Sequence, residues 1–244
     1  MVKTAMIMAA GIGTRFGHYT DLVPKGFVNI GNRPMILRSI DTLLSCGIER
    51  IVIGTGYKCE VYDDLKKNYP MVETCFNPRY AETNSMYTLY NTRELLVDDD
   101  FLLLESDLIF ESKAIRCLLE CKEPDVMLIS PVTKFQDQYY VEHDQDYILT
   151  SCSVHKEELD TKGELVGIHK LSCPFYRKMC SDYGNISSEQ PKLGYEYELL
   201  RMSQRISPVY VLNVSGLKWY EIDDESDLVY AERYILCLLY TSPS

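Results

Sequence analysis

The sequence predicts an α/β protein with a doubly wound, Rossmann-like mixed sheet. Short apolar segments alternate with segments of helical periodicity through the first half of the chain, which is the strand and helix pattern of such folds. One segment, 101–104, is apolar at every position, as expected of a strand buried on both faces of a parallel sheet. A glycine-rich loop at 11–17 directly follows the first apolar segment. Open α/β sheets bind ligands at such strand ends, so the loop predicts the position of the site.

The first half of the chain supplies four predicted strands and three predicted helices. Pro34 suits the first turn of the first helix, and Gly47 suits its end. A second, polar helix is expected before Pro70, and Thr83 or Asn84 can cap a third helix that runs to Leu96. The predicted strands are 4–9, 51–53, 72–76 and 101–104.

A change of rhythm after Pro131 predicts a small β-rich insertion at about 132–172, which would form a lid over the site. Its strands are expected at 139–141, 147–151 and 165–171. Later strands are expected at 209–214 and 217–222, and later helices at 174–183, 195–205 and 226–239. We therefore expect a single domain over residues 1–240. A continuation of the natural chain beyond residue 240 is left open.

Composition argues against several classes of protein. A net charge of −11 is unlike that of a nucleic-acid binder, which normally carries a basic face. No apolar run approaches the about 18 residues needed to cross a membrane, so no membrane span is expected. The nine cysteines contain no C-x-x-C pair, and the four histidines show no zinc spacing. Reduced thiols in a cytoplasmic protein are therefore expected.

The loop after the first predicted strand has the chemistry of an anion site. Small residues and glycines let backbone N–H groups approach a phosphate closely, and Arg15 and Lys25 add two positive charges. The sequence lacks both the P-loop motif and the regular G-x-G-x-x-G fingerprint. On the glycines alone, an ordinary turn is the alternative. If the loop binds a nucleotide, the contributing residues are Ala9, Ala10, Gly11, Gly13, Thr14, Arg15 and Lys25.

Two acidic segments at the ends of apolar segments predict a metal site. Period-two alternation places Glu105 and Asp107 on one side of their strand, and Glu221 and Asp223 repeat the arrangement. Carboxylates at strand ends are costly unless a cation pairs with them, and Mg²⁺ takes one or two carboxylates together with phosphate oxygens. One Mg²⁺ site built from both segments is the functional interpretation. The alternative is two solvated acidic turns.

A motif at 9–15, AAGIGTR, followed by Pro24 and Lys25, resembles the signature of the nucleotidyltransferases that make sugar nucleotides and CDP-alcohols. Within that superfamily the chain resembles the small cytidylyltransferases: the LicC-type phosphocholine enzymes and, above all, the 2-aminoethylphosphonate cytidylyltransferases. The resemblance covers residues 3–234. It implies the nucleotidyltransferase fold, CTP as a substrate, and a Mg²⁺ ion held by Asp107, Asp223 and Glu221.

The resemblance also implies the reaction. A phosphonate or phosphate oxygen attacks the α-phosphorus of CTP and pyrophosphate leaves, so the protein aligns the reactants and neutralises charge rather than supplying a strong base. Lys25 and Arg15 are the expected catalytic residues. Cytidine is expected to contact the Ala9–Ala10 backbone, Gly56, Thr83, Asn84 and Ser85. The last three residues also suit a helix cap, and the two roles are compatible.

The acceptor site is predicted from the segment 195–198 and from Lys170. Aromatic rings favour a quaternary ammonium, whereas carboxylates favour a primary amine that can donate hydrogen bonds. Two acids among four residues favour aminoethylphosphonate, although an ordinary acidic helix start fits equally well. Lys170 is expected to reach the phosphonate, by resemblance to the aminoethylphosphonate enzymes. The four residues of the segment are Tyr195, Glu196, Tyr197 and Glu198.

The predicted function is that of a CTP:2-aminoethylphosphonate cytidylyltransferase, in phosphonate biosynthesis and cell-surface modification. Phosphocholine is the first alternative acceptor, and a sugar-1-phosphate nucleotidyltransferase is the second alternative. An NAD(P)-dependent oxidoreductase would need the regular glycine fingerprint and an acid after the second strand, which ends at 54–56 with Gly-Thr-Gly. A catalytically silent regulator would be expected to lack Lys25 or Asp107, and both are present. A homodimer is left open, as is fusion to the aminotransferase domain that some aminoethylphosphonate relatives carry.

Overall fold

The computed structural model describes residues 2–96, 98–133 and 138–240. Within these ranges the strands are β1 (Thr4–Ala9), β2 (Asn29–Ile30), β3 (Arg33–Pro34), β4 (Arg50–Thr55), β5 (Val72–Phe76), β6 (Phe101–Glu105), β7 (Leu108–Phe110), β8 (Val126–Ser130), β9 (Tyr140–His143), β10 (Leu149–Ser153), β11 (Gly163–Leu171), β12 (Tyr210–Asn213) and β13 (Trp219–Glu221). The α-helices are α1 (Met35–Ser45), α2 (Cys59–Asp63), α3 (Ser85–Asn91), α4 (Ser112–Glu120), α5 (Cys173–Ile186), α6 (Tyr195–Arg205), α7 (Glu225–Tyr230) and α8 (Leu236–Tyr240). A π-helical turn joins α7 to α8, and short 3-10 helices span Thr14–Thr20, Lys25–Phe27, Asp64–Lys67 and Lys156–Glu158.

The described residues contribute nine strands to one mixed sheet. Seven of these strands pair in the order β10-β9-β11-β6-β1-β4-β5, while β8 pairs with β11 and β12 pairs with β8. The four strands β6, β1, β4 and β5 run parallel to one another, whereas β11 runs antiparallel to β6. Helices pack on both faces of this sheet. The prediction of a doubly wound, mixed α/β sheet is therefore confirmed.

Alternating side chains of β1 enter two separate cores. Ala5 and Ile7 pack on one face of the sheet with apolar residues of α1 and α4. Met6 and Met8 pack on the other face with residues of α3, α5 and α6. Because both faces are covered, every position of β1 is buried, which explains the unbroken apolar sequence of this strand.

The β-rich segment predicted at about 132–172 is present, but its strands belong to the main sheet and not to a separate layer. β11 lies between β6 and β9 and also pairs with β8. All nine of its residues are buried, because apolar positions on both of its faces meet the two cores. Residues 134–137 of the segment lie outside the described residues. Its role as a lid stays a prediction.

Two predicted helices end differently in the structure. The helix expected to reach Leu96 ends at Asn91 and is followed by turns, and the closing helix expected at 226–239 is interrupted by the π-helical turn at 231–235. Residue 1 and any continuation beyond residue 240 lie outside the described ranges. Within those ranges, no helix combines the length and the apolar character needed to cross a membrane.

Strand pairing brings distant parts of the chain to one edge of the sheet. Met8 of β1 is paired with Glu105 of β6, so the two strands end side by side. β13 pairs antiparallel with β7 and places Glu221 opposite Leu108, just beyond that edge. The loop after β1, the turn after β6 and the end of β13 therefore converge.

Candidate active site

A cavity of about 420 Å³ opens at the carboxyl ends of β1 and β6. Many of the predicted site residues line it, namely Ala9, Ala10, Gly11, Gly13, Thr14, Arg15, Lys25, Thr83, Asn84, Ser85, Asp107, Glu196, Glu221 and Asp223. The predicted residues outside this lining are Gly56, Lys170, Tyr195, Tyr197 and Glu198. The fold thus brings the glycine-rich loop, both acidic segments and the start of α3 to one place.

The glycine-rich loop folds back on Lys25. Beyond Gly13 it continues as the 3-10 helix Thr14–Thr20. The hydroxyl of Thr20 donates to the carbonyl oxygens of Gly13 and Gly17, at 3.2 Å and 3.1 Å. These hydrogen bonds join the end of the 3-10 helix to the glycine-rich loop, and both cations predicted from the sequence, Arg15 and Lys25, line the cavity.

Lys25 bridges the two acidic segments. Its ammonium nitrogen lies 2.5 Å from Asp107 Oδ2 and 2.9 Å from Asp223 Oδ1. Arg15 reaches the same oxygen of Asp223 at 2.8 Å. Burial alone would lower the pKa of Lys25, but the charges of Asp107 and Asp223 outweigh burial and raise the pKa above its ordinary value. Lys25 is therefore a permanent cation at this point of the cavity.

Three carboxylates beside Lys25 form a group that could hold a metal ion. One oxygen each from Glu105, Asp107 and Glu221 lie within 4.8 Å of one another. Asp107 Oδ1 is buried and has no hydrogen-bond partner in the described part of the chain. Hard oxygen donors of this kind suit Mg²⁺. Two of the predicted ligands, Asp107 and Glu221, belong to this group together with Glu105, whereas the third, Asp223, is paired with Lys25 and Arg15. Metal binding by the predicted ligands stays a prediction.

If all three carboxyl groups of this group were ionised, they would carry more negative charge than their neighbours neutralise. Burial, followed by the charges of Glu221 and Asp107, raises the pKa of Glu105 well above its ordinary value. Burial and the charges of Asp107 and Asp223 raise the pKa of Glu221 to about 8. Gln138 donates to Glu221 at 2.9 Å but carries no charge. A divalent cation bound among these oxygens would relieve their mutual repulsion.

Only one residue of the predicted acceptor segment lines the cavity, and it is Glu196. Its side chain is buried, and its Oε2 has no hydrogen-bond partner among the described residues. Burial raises the pKa of this carboxyl to about 7. A buried carboxylate with an unused oxygen is an acceptor for a ligand that donates hydrogen bonds.

The other three residues of the segment face elsewhere, because successive helix residues are rotated by about 100°. Tyr195 donates to Glu105 behind the cavity wall, at 2.6 Å. Glu198 pairs with Arg201 at 2.9 Å. The ring of Tyr197 packs against that of Tyr139, with centroids 5.5 Å apart. Of the four residues expected to contact the acceptor, the structure therefore brings only Glu196 to the cavity, and its contact with the acceptor stays a prediction.

The prediction that Lys170 reaches the acceptor is wrong. Because β11 runs antiparallel to β6, Lys170 pairs with Leu102, near the start of β6, whereas the cavity lies at the other end of that strand. The ammonium of Lys170 donates to the carbonyl oxygen of Cys121 at 2.6 Å. Leu102 and Glu105 are three residue steps apart along the extended strand, which corresponds to about 10 Å.

The segment Thr83 to Ser85 caps α3 and also lies at the cavity. The side chain of Asn84 caps α3 by accepting from the backbone N–H of Ser85 at 2.8 Å. The hydroxyl of Ser85 accepts from the backbone N–H of Tyr195 at 3.0 Å and so ties α3 to α6. All three residues also line the cavity. Their contact with cytidine stays a prediction.

Gly56 supports the cavity from behind. A Cβ atom at Gly56 would lie 2.5 Å from the carbonyl oxygen of Ala10 and 2.5 Å from Cβ of Tyr80. Both of these neighbours line the cavity. The absence of a side chain therefore lets the loop after β1 and the ring of Tyr80 approach each other.

Several lining residues were not among the predicted site residues. They are Met8, Tyr62, Tyr80, Thr88, Glu105, Ser106 and Tyr139. The sequence analysis places Glu105 on the same side of its strand as Asp107, but the resemblance assigns the metal only to Asp107, Asp223 and Glu221. Tyr80 and Tyr139 lie in irregular segments, where residue spacing carries no information about direction.

The sequence matches the family described as the MobA-like NTP transferase domain over residues 5–183. This match covers more than half of the chain, and the chain belongs to that family. It is accordingly a nucleotidyltransferase, and its fold and cavity fit that class.

Two individual relatives of the chain are cytidylyltransferases. The chain is 34% identical over 111 residues to a 2-aminoethylphosphonate cytidylyltransferase of Lancefieldella rimae, which is 46% of this chain and 45% of that protein. It is 28% identical over 227 residues to a choline-phosphate cytidylyltransferase of Streptococcus pneumoniae, covering 91% of this chain and 94% of that protein.

Solved structures agree with these sequence matches. CTP:phosphocholine cytidylyltransferase (LicC) from Streptococcus pneumoniae superposes with a TM-score of 0.78 at 26% identity, over 95% of this chain and 99% of that chain. An inositol-1-phosphate CTP transferase from T. maritima has a TM-score of 0.83 at 15% identity, over 100% of this chain and 98% of that chain. The second likeness concerns the fold alone.

Proposed function

We propose that this protein transfers CMP from CTP to the phosphonate group of 2-aminoethylphosphonate and releases pyrophosphate. The observation that carries the proposal is the buried, unpartnered carboxylate oxygen of Glu196, which shares one cavity with Lys25 and the acidic group. The first two relatives are cytidylyltransferases by name, one for aminoethylphosphonate and one for choline phosphate, which supports CTP as the nucleotide.

The reaction needs alignment and charge neutralisation. An ionised oxygen of the acceptor forms a bond to the α-phosphorus of CTP, the bond from that phosphorus to the bridging oxygen breaks, and pyrophosphate leaves with the electron pair. Lys25 and Arg15, which line the cavity together with the glycine-rich loop, would bind phosphate oxygens. Glu105, Asp107 and Glu221 would hold Mg²⁺, which supplies further neutralisation of phosphate charge.

Glu196 is the reason why we propose an acceptor that carries a primary amine. An ammonium group donates hydrogen bonds, and the free Oε2 of Glu196 accepts them in a buried environment where a charge-assisted bond is strong. A trimethylammonium group has no N–H to donate.

Phosphocholine is the second candidate acceptor, because two aromatic residues, Tyr80 and Tyr139, also line the cavity. Aromatic faces bind quaternary ammonium groups through cation–π interactions. On that alternative Tyr139, rather than Glu196, would dominate acceptor binding.

The test is pyrophosphate release from four nucleoside triphosphates, each combined with aminoethylphosphonate, phosphocholine or glucose 1-phosphate. We expect the highest kcat/KM with CTP and aminoethylphosphonate. A higher kcat/KM with phosphocholine would reject the acceptor, and turnover only with UTP or dTTP and the sugar phosphate would reject the proposed class of substrate.

A pair of variants separates the two acceptor models. Glu196→Gln should raise the KM for aminoethylphosphonate by tenfold or more, since a buried charge-assisted hydrogen bond contributes about 1.5–3 kcal/mol. Glu198→Gln is the matched control, because Glu198 lies two residues away on the same helix and is paired with Arg201. An equal effect of both substitutions would remove Glu196 from acceptor recognition.

A further inference from the structure

A buried chain of hydrogen bonds leads from the sheet to the acidic group. The hydroxyl of Tyr195 donates to Glu105 Oε1 at 2.6 Å, and His169 Nε2 lies 3.0 Å from the same hydroxyl. Tyr195 and His169 are buried. Neither of these two residues lines the cavity, but Glu105, the last residue of this chain of hydrogen bonds, does.

We infer that Tyr195 is a positioning residue that orients Glu105, so that Glu105 serves as a ligand of the divalent cation beside Asp107 and Glu221. The inference rests on the metal site of the proposed nucleotidyl transfer. It assigns to Glu105 a role in binding the metal, and to Tyr195 and His169 a role in holding that ligand.

The direction of the hydrogen bonds follows from their chemistry. Tyr195 has one hydroxyl proton, and Glu105 can accept it. The oxygen of Tyr195 then accepts from Nε2–H of His169, whose Nδ1 has no partner in the described part of the chain. Burial lowers the pKa of His169 to about 3, so its ring is neutral and can carry its single proton on Nε2. The hydrogen bonds therefore run from His169 through Tyr195 to Oε1 of Glu105, and the second oxygen of Glu105 is left to bind the metal ion.

The neighbouring strand is also shaped around Glu105. The pairing of β11 with β8 shifts register between Leu165 and His169. Within this irregularity Gly167 has φ of 74°, and a Cβ atom there would lie 3.1 Å from Cδ of Glu105. A positive φ and a missing side chain make room for the carboxyl group. Two separate elements, β11 and α6, thus accommodate the carboxyl group of Glu105.

The same helix turn joins metal binding to acceptor binding. Tyr195 contacts Glu105, and the next residue, Glu196, lines the acceptor side of the cavity. Outer residues that orient metal ligands typically change metal affinity or activity by 10–100-fold when they are replaced. Loss of the Tyr195 hydroxyl should therefore weaken metal binding and leave the fold intact.

The experiment compares Tyr195→Phe with Tyr176→Phe. Tyr176 is a matched control because it is also buried and its hydroxyl donates at 2.5 Å to the backbone oxygen of Leu89, away from the cavity. Free Mn²⁺ is measured by electron paramagnetic resonance in the presence of the non-reactive analogue α,β-methylene-CTP. We expect the dissociation constant of Mn²⁺ to rise by about tenfold in Tyr195→Phe and by less than twofold in Tyr176→Phe.

A second variant tests whether Tyr195 acts through Glu105. Glu105→Gln should weaken Mn²⁺ binding by at least as much, and adding Tyr195→Phe to it should have little further effect, because interacting residues are not additive. Additive effects, or an unchanged Mn²⁺ dissociation constant in either single variant, would overturn the inference. If Tyr195→Phe does not fold, Glu105→Gln alone decides whether Glu105 is a ligand, and unchanged binding in that variant also overturns it.

Mn²⁺ binding is measured without an acceptor, so the two proposals fail separately. A wild-type protein that binds Mn²⁺ but releases no pyrophosphate with any acceptor contradicts the proposed function only. A change confined to the KM for the acceptor in Tyr195→Phe, with Mn²⁺ binding intact, contradicts this inference only.

Discussion

In the free protein, the ammonium group of Lys25 supplies the positive charge that Asp107 and Asp223 need. The three side chains are only 14%, 16% and 6% exposed, so water screens their charges poorly. Lys25 therefore stabilises the fold, in addition to the role in the reaction that we propose for it. A single substitution of Lys25 should therefore change both the stability of the protein and its turnover.

Lys25→Ala should lower turnover by 100-fold or more and also lower the free energy of unfolding by about 2–4 kcal/mol, because it leaves two nearly buried carboxylates unpaired. Mg²⁺ should raise the melting temperature of the variant more than that of the wild type, since the ion replaces the lost charge. Pyrophosphate release and thermal melting with and without Mg²⁺ measure these effects. Lys67→Ala, which breaks an exposed pair with Asp64, is the control and should change neither property. A variant with full stability in EDTA would contradict the structural role of Lys25.

Glu196 should make stability depend on pH. Its pKa is about 7 in the folded protein, against 4.5 for an unperturbed glutamic acid, because of burial. The folded state holds the proton more tightly, so Glu196 lowers the free energy of unfolding as the pH rises from 4.5 through 7. Glu196→Gln should therefore gain roughly 1–3 kcal/mol relative to the wild type between pH 4.5 and pH 8. Urea unfolding at several pH values measures the difference, and a difference that is constant with pH would disprove it.

Among the elements, β11 and the start of α6 determine which side chains reach the cavity. The antiparallel register of β11 against β6 takes Lys170 away from the site and brings Gly167 next to Glu105. Rotation along α6 presents Glu196 to the cavity and Tyr195 to Glu105. The loops after β1 and β4 meet in a similar way at Gly56, where the backbone itself decides the spacing.

Gly56→Ala should raise the KM for CTP by about tenfold, because the new methyl group would overlap the Ala10 carbonyl and Tyr80 and displace the loop after β1. Steady-state kinetics and calorimetric titration with α,β-methylene-CTP measure the change. Gly184→Ala is the control: its Cβ would make only ordinary contacts with Tyr90, and alanine favours the helix by up to about 1 kcal/mol. Equal nucleotide affinity in both variants would show that the close approach at Gly56 does not shape the site.

Taken as a whole, the molecule is acidic, and so is its cavity. Among the described lining residues, five carboxylates face two cations: Glu105, Asp107, Glu196, Glu221 and Asp223 against Arg15 and Lys25. The net charge of the chain is −11. A triphosphate entering such a cavity without a counter-ion meets like charge, so nucleotide binding should require a divalent cation.

CTP alone should stabilise the protein little, whereas CTP with Mg²⁺ should raise the melting temperature by about 5–10 °C at 100 times the dissociation constant, from the mass-action gain of about 2.7 kcal/mol. EDTA should reverse the shift. Differential scanning fluorimetry with CTP, with Mg²⁺ and with both ligands measures the effect. A full shift with CTP in EDTA would contradict a metal requirement.

Local patterns were enough to predict the sheet and the position of the site. Strand β1, buried on both faces, has to be apolar throughout, and the loop that follows it needs small residues and cations to bind an anion. Such properties depend on neighbours in the chain. Arg15, Lys25, Asp107 and Asp223 could therefore be selected from residue type and spacing, and the fold brings them together.

The features of the site that local patterns did not predict depend on packing between residues far apart in the sequence. Strand register and helix rotation determine the partners of Asp223 and the contact of Tyr195 with Glu105. They also determine that Lys170 lies away from the cavity and that Tyr80 and Tyr139 line it. These are set by contacts between residues that lie tens to hundreds of positions apart. Spacing along one segment carries no information about them, because the same segment could turn a different face to the cavity if its partner shifted by one residue.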